Sequence, residues 1–80
     1  MLLYPNPARN LVTVYFGEVT GLNGELEIVD ISGRKVTVME VSQGQTSQEL
    51  DIGQLPEGLF MIFWKQSGKI MDHARLIRTH

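Results

Sequence analysis

The sequence predicts an all-β fold, a small immunoglobulin-like antiparallel β-sandwich of six or seven strands. Three observations carry that expectation. Apolar and polar residues alternate with period two wherever the chain shows any period. Turn signals recur at intervals of about 8 to 15 residues, the spacing of a sandwich built from short strands. No stretch sustains the i, i+3, i+4, i+7 pattern of an amphipathic helix. Eighty residues make one domain, residues 1–80. A chain of that size buries only somewhat more than about 60% of its unfolded surface, so its stability margin is thin.

The elements follow in order. Leu2 to Tyr4 supplies a seventh strand if it pairs at an edge. Pro5 and Pro7 lack N–H donors and predict a stiff, extended lead-in. Val12, Val14 and Phe16 alternate with Thr13 and Tyr15, as a half-buried strand requires. Asn23-Gly24 is a turn signal placed before a strand in which Leu26 and Ile28 face inward, while Glu25 and Glu27 lie on a solvated face. In Asp30-Ile31-Ser32-Gly33-Arg34, the Asp30 carboxylate can accept a bond from the backbone N–H two residues on. Gly33 supplies the positive φ that closes a short hairpin.

Val36 and Val38 then oppose Lys35, Thr37 and Met39, and Gln48 and Leu50 oppose Glu49 and Asp51. Leu55-Pro56-Glu57-Gly58 predicts a type I turn with proline second and glycine fourth. Leu59 to Lys65 is apolar at almost every position, which predicts a central strand covered on both faces. Phe60, Ile62 and Trp64 form its core face. Leu59, Met61 and Phe63 form the other, which becomes an interface if the molecule leaves it bare. Ser67-Gly68 marks the hairpin into a last strand, Lys69 to Arg78, with Ile70, Ala74 and Leu76 on one side and Met71, His73 and Arg75 on the other.

Composition excludes several classes of function. The formal net charge of −2 gives no reason to expect nucleic acid as a partner, and the absence of cysteine removes disulfides and thiolate chemistry. The longest apolar run, Leu59 to Trp64, is far short of the roughly 20 residues of a spanning helix. The first residues lack the features of a secretory signal, so an exported form would be a piece of something longer. Charge is unevenly placed: Lys65, Lys69, Arg75 and Arg78 face only Asp72 in the last part of the chain, on an otherwise acidic body. Such a strip either protects an edge from sheet-to-sheet association or steers a partner.

No chemistry gathers around the reactive side chains. His73 and the terminal His80 are the only imidazoles. Ser32, Ser42, Ser47 and Ser67 fall in turns or polar edges without a legible base. Trp64 with Phe60, Phe63, Tyr4 and Tyr15 offers an aromatic platform, but the period of the strand assigns Phe60 and Trp64 to the core. No catalytic, cofactor or metal residue is assigned, and no enzyme is expected.

Four stretches in one order give a family resemblance. Tyr4-Pro5-Asn6-Pro7-Ala8 precedes Val12-Thr13-Val14; Asp30 precedes Gly33-Arg34; Leu50-Asp51 precedes Leu55-Pro56 and Gly58; and Leu76-Ile77-Arg78 closes the set. In this order they resemble the C-terminal sorting domain, type A, of proteins exported by the type IX secretion system of Bacteroidetes-type bacteria. The resemblance runs from Leu3 to Arg78. Phe60 stands where the family often has tyrosine, Arg78 where lysine is common, and Thr79-His80 is not diagnostic.

The resemblance implies a non-catalytic label excised from a longer secreted precursor. Its cargo would cross the inner membrane by a signal peptide, fold in the periplasm, and pass an outer-membrane translocon to the cell surface or the medium. The implied partners are the translocon components, a sortase-like processing protease and the cargo domain upstream; no cofactor is implied. Docking is expected at Lys69, Arg75, Leu76, Ile77 and Arg78, on an edge strand able to add to a partner's sheet, with basic charge steering it toward an acidic surface. Tyr4, Pro5, Asn6, Pro7, Asp30, Gly33, Arg34, Leu55, Pro56 and Gly58 are expected to hold the fold. Dimerisation by strand exchange or edge pairing is open to so small a sandwich. The competing readings are an immunoglobulin-like spacer or adhesion module, and a carbohydrate-binding or small hydrolytic domain.

Overall fold

The computed structural model describes residues 1–16 and 23–80. Seven strands form: β1 Leu2–Tyr4, β2 Leu11–Tyr15, β3 Gly24–Asp30, β4 Lys35–Val41, β5 Ser47–Asp51, β6 Gly58–Gln66 and β7 Lys69–Arg78. No helix occurs among the described residues. A three-stranded antiparallel sheet, β1-β2-β5, lies opposite a four-stranded one, β4-β3-β6-β7. The chain changes sheet after β2, after β4 and after β5, a crossing pattern of immunoglobulin-like sandwiches. Leu2–Tyr4 does pair, against Thr13–Tyr15 at the edge of the smaller sheet.

Period two places the core. Val12, Val14 and Leu50 from one sheet meet Leu26, Ile28, Phe60, Ile62, Trp64 and Leu76 from the other, all buried. Phe16 packs on Trp64 with ring centroids 4.7 Å apart. At about 25 cal/mol per Å² of apolar surface, this shared face is the main force holding the two layers together.

The alternation fails where β-bulges add a residue. Between Ile28 and Val29 the β3–β4 register shifts, so Thr37 pairs with Ile28 but Lys35, not Val36, pairs with Val29. Beyond that bulge Val36 and Met39 pack on the core and Val38 is left exposed, which reverses the expected assignment of Val38 and Met39. A second bulge, opposite Trp64 and Lys65, pairs Ile70 with Lys65 and turns Ile70 and Met71 both to solvent, not Ile70 inward.

The turns also resolve. Asp30 Oδ1 accepts from the Ser32 N–H at 2.9 Å, the Ser32 hydroxyl at 2.6 Å and the Arg34 N–H at 3.0 Å. The Gly33 N–H donates to the Asp30 carbonyl, and Gly33 takes φ 89°. Gly33→Ala is therefore expected to cost about 1 to 2 kcal/mol, because a Cβ is disfavoured in this region. Thermal unfolding checks it, and an unshifted midpoint contradicts it. Ser67 and Gly68, with φ 51° and 77°, make the two-residue hairpin between β6 and β7.

One expected turn takes a different form. The hydrogen-bonded turn before β6 is Ile52–Leu55, closed by the Leu55 N–H on the Ile52 carbonyl at 3.0 Å; Leu55–Gly58 follows it, and Gly58 opens β6. Gly24 is the first residue of β3, and the chain before Asn23 that the expected turn would use lies outside the described residues. Its lack of a side chain serves packing, since a Cβ there would stand 2.7 Å from Trp64 Cζ3 and 2.5 Å from the Lys65 carbonyl oxygen.

Candidate functional site: the end where the four signature segments meet

The strand registers bring the four motif segments to one end of the sandwich. Asp30 pairs with Phe60, Gly58 with Arg78, and Leu11 with Asp51, so the turns flanking these residues share that end. Leu2 pairs with Tyr15 at the opposite end, level with Ser47. Whatever precedes Leu2 therefore joins the module beside Asp72 and Trp64 rather than at the turns around Asp30 and Gly58.

The lead-in is bent at Pro5–Pro7, not extended, and both its X-Pro peptides are cis. It leaves the small sheet after Tyr4 and crosses to β7, where Ala8 forms a parallel bridge with Arg78. The Ala8 N–H donates to the Ile77 carbonyl at 2.9 Å, and the Thr79 N–H donates to the Ala8 carbonyl at 2.8 Å. Asn6 extends this pairing with its side chain. Its amide nitrogen donates to the Arg75 carbonyl at 2.7 Å, and its amide oxygen accepts from the Ile77 N–H at 3.0 Å. Asn6 thus supplies the donor and acceptor that a neighbouring strand would. A little further along, the His73 N–H is taken by the Asp72 carboxylate at 2.8 Å. The edge expected to stand open for strand addition is occupied along its C-terminal half, a device that blunts edge-to-edge association.

The expected docking residues divide by face. Arg75 and Ile77 point outward and are exposed, as is Lys69. Leu76 is fully buried in the core. Arg78 shares its parity and turns inward, 9% exposed, its Nε donating to the Ile52 carbonyl and a terminal amino group to the Gly53 carbonyl, both at 3.1 Å. Those bonds tie β7 to the loop after β5 across the two sheets. The residues expected to hold the fold are also divided. Asp30, Gly33 and Asn6 make structural bonds, and Leu55 packs on the core. Tyr4, Pro5, Pro7, Pro56 and the Arg34 side chain are exposed.

The outer face of the large sheet is not covered by this chain. Leu59 and Ile77, which pair across β6 and β7, are both exposed, and Met61 and Phe63 are half-buried. The face expected to be closed on β6 is thus partly bare. Glu27 lies beside it and is not solvated: it is buried, 3.0 Å from Lys65 Nζ and 3.1 Å from Lys35 Nζ. Each lysine sits one diagonal step away on a neighbouring strand, within reach of a long side chain. The alternation of Glu25 and Glu27 gave the same expectation for both; Lys35 and Lys65 were the signal that separates them.

Burial, the largest single influence on Glu27, favours protonation, but the hydrogen bonds and charges of Lys65 and Lys35 together outweigh it and hold the carboxyl below its usual 4.5. The Ser32 hydroxyl and the Arg34 N–H hold Asp30 below its usual 3.8. Both folded values are depressed, so each group contributes stability above its ordinary value that fades as pH falls through the lower folded value. The urea midpoint should hold level from neutral pH to about 4.5 and decline below it. Glu27→Gln should flatten the upper part of that decline. A midpoint that rises on acidification contradicts the assignment.

The signature turns and the exposed row on β6 and β7 thus meet at one end of an immunoglobulin-like sandwich. The family model of the secretion system C-terminal sorting domain matches residues 2–77. The chain belongs to that family, the C-terminal sorting signals of type IX secretion, which are in general non-catalytic. Membership implies export to the cell surface or release, and interaction with the type IX machinery and an upstream cargo domain. Among curated proteins, no sequence matches the chain.

Proposed function

We propose that this domain carries a cargo protein from the periplasm through the type IX outer-membrane translocon by being read as a folded surface, and that the reading surface is the outer side of β7 with the adjoining part of β6. The observation that supports this is the exposed row of Arg75, Ile77 and Leu59 on an uncovered sheet face, at the end away from Leu2. Side chains carry the recognition, because Asn6 and Ala8 already occupy the backbone edge beside them. Lys69 and Arg75 steer the module toward an acidic receptor surface. Leu76 and Arg78 act by holding β7 in place.

The test is a reporter fused to the domain in a type IX-competent strain. Arg75→Glu and Ile77→Asp are expected to lower surface delivery about tenfold or more, the effect of losing a hot-spot contact, while melting within about 2 °C of the parent. Unchanged delivery of both would sink the proposal. Deleting Leu76–His80 is a poorer test, since it also strips Leu76 from the core.

A further inference from the structure

The two inner turns leave a cleft between them. Asp30–Arg34 joins β3 to β4, Pro56–Gly58 leads into β6, and the space they enclose is about 240 Å³. Val36, Phe60, Leu59 and Pro56 give it apolar walls. That volume is below the roughly 300 to 1,000 Å³ of sites that hold drug-sized ligands, and suits one large side chain of a partner.

Three charged groups border the cleft, Asp30, Arg34 and Glu57. Two are already engaged. Asp30 Oδ1 accepts the three bonds of its own turn, and Glu57 accepts from the His80 N–H at 3.0 Å and lies 3.1 Å from His80 Nε2. Arg34 differs. What it gives the turn is backbone, its N–H to Asp30 Oδ1 and its carbonyl to the Asp30 N–H, a service most residues could render. Its side chain is 77% exposed and, among the described residues, meets only Asp30 Oδ2, through Nε at 3.3 Å. Both terminal amino groups remain to donate, in the fork that matches a carboxylate. Ile31, on the same turn and on the border of the cleft, is 84% exposed. The turn that presents both is pinned by its own hydrogen bonds, so little ordering is lost on binding.

The geometry points to a second contact site for the export machinery, resting on the sorting function proposed above: the cleft receives an apolar side chain of a partner protein, and Arg34 binds an Asp or Glu carboxylate beside it. Ile31 covers the inserted side chain from the border. Leu59 belongs both to this cleft and to the exposed row with Ile77, so the site is continuous with the β7 surface. A partner segment in which an apolar residue adjoins an acidic one fits both features.

The experiment uses the same reporter fusion with Arg34→Ala, Arg34→Lys, Arg34→Glu and Ile31→Asp, each also purified for thermal melting. Arg34→Ala and Ile31→Asp are expected to lower surface delivery about tenfold while melting within about 2 °C of the parent, since both side chains face solvent. Arg34→Lys should fall between, keeping the charge without the fork. Arg34→Glu should fall below Arg34→Ala; equal delivery of these two overturns the carboxylate. Should Arg34→Ala melt early, Ile31→Asp decides alone. If the parent fusion reaches the surface and the well-folded variants follow it undiminished, the cleft is not a site and the sorting function stands. If the parent fusion itself stays inside, the sorting function fails and this inference with it.

Discussion

Gly24→Ala is expected to lower stability by about 2 to 3 kcal/mol, the upper part of the range for forcing extra atoms into a well-packed interior. The new Cβ would lie 2.5 Å from the Lys65 carbonyl oxygen, which belongs to the β6 backbone, and 2.7 Å from a ring carbon of Trp64. Neither neighbour is the loose end of a flexible chain. Trp64 is buried and packed against the tilted ring of Phe16, so its ring moves only by loosening the core at that end of the sandwich. For a domain of this size the midpoint should fall by about 10 to 20 °C. Near-UV circular dichroism should report the loss of the fixed Trp64 environment together with the shift. A variant that melts with the parent would mean that the ring and the β3 backbone are not in contact.

Arg78→Ala is expected to cost about 3 kcal/mol. Hydrogen bonds from a charged donor are worth about 1.5 to 3 kcal/mol, and the Ile52 and Gly53 carbonyls would lose their partner in a largely buried setting. Arg75→Ala, three residues earlier on the outer side, should cost less than about 0.5 kcal/mol. Chemical denaturation of the two variants separates them, and coincident midpoints would remove the distinction between holding and docking on β7. The same pair separates two causes of failed export. Loss of delivery by Arg78→Ala should be relieved by growth at lower temperature, because it acts through folding; loss by Arg75→Glu should not.

How far the sequence foretold this arrangement depended on how local each cause was. The inner faces of β2, β3 and β6 follow from period two, and the Asp30–Arg34 turn is made wholly by residues within it. Val38 and Ile70 went astray because a bulge adds one residue without altering composition, and every side chain beyond it changes face. Gly24 carries the right residue for a turn, but its reason lies forty positions away in Trp64. Arg78 resembles Arg75 as a charge, yet it is two residues from Leu76 and must share its inward face; parity was the signal that charge counting passed over. Asn6 had no such signal. Its partners, Arg75 and Ile77, are about seventy residues away, and nothing in Pro5-Asn6-Pro7 foretells them.

The separation of Leu2 from the signature end has a mechanical corollary. The Met1 amino group is 2.6 Å from Asp72, five residues before Ile77 on β7, so a passenger tethered before Leu2 joins roughly 15 Å along the strand from Ile77. Its bulk then lies to one side of the row of Arg75 and Ile77 rather than over it. One receptor can in this way serve passengers of unrelated size, and lengthening the tether should leave capture untouched.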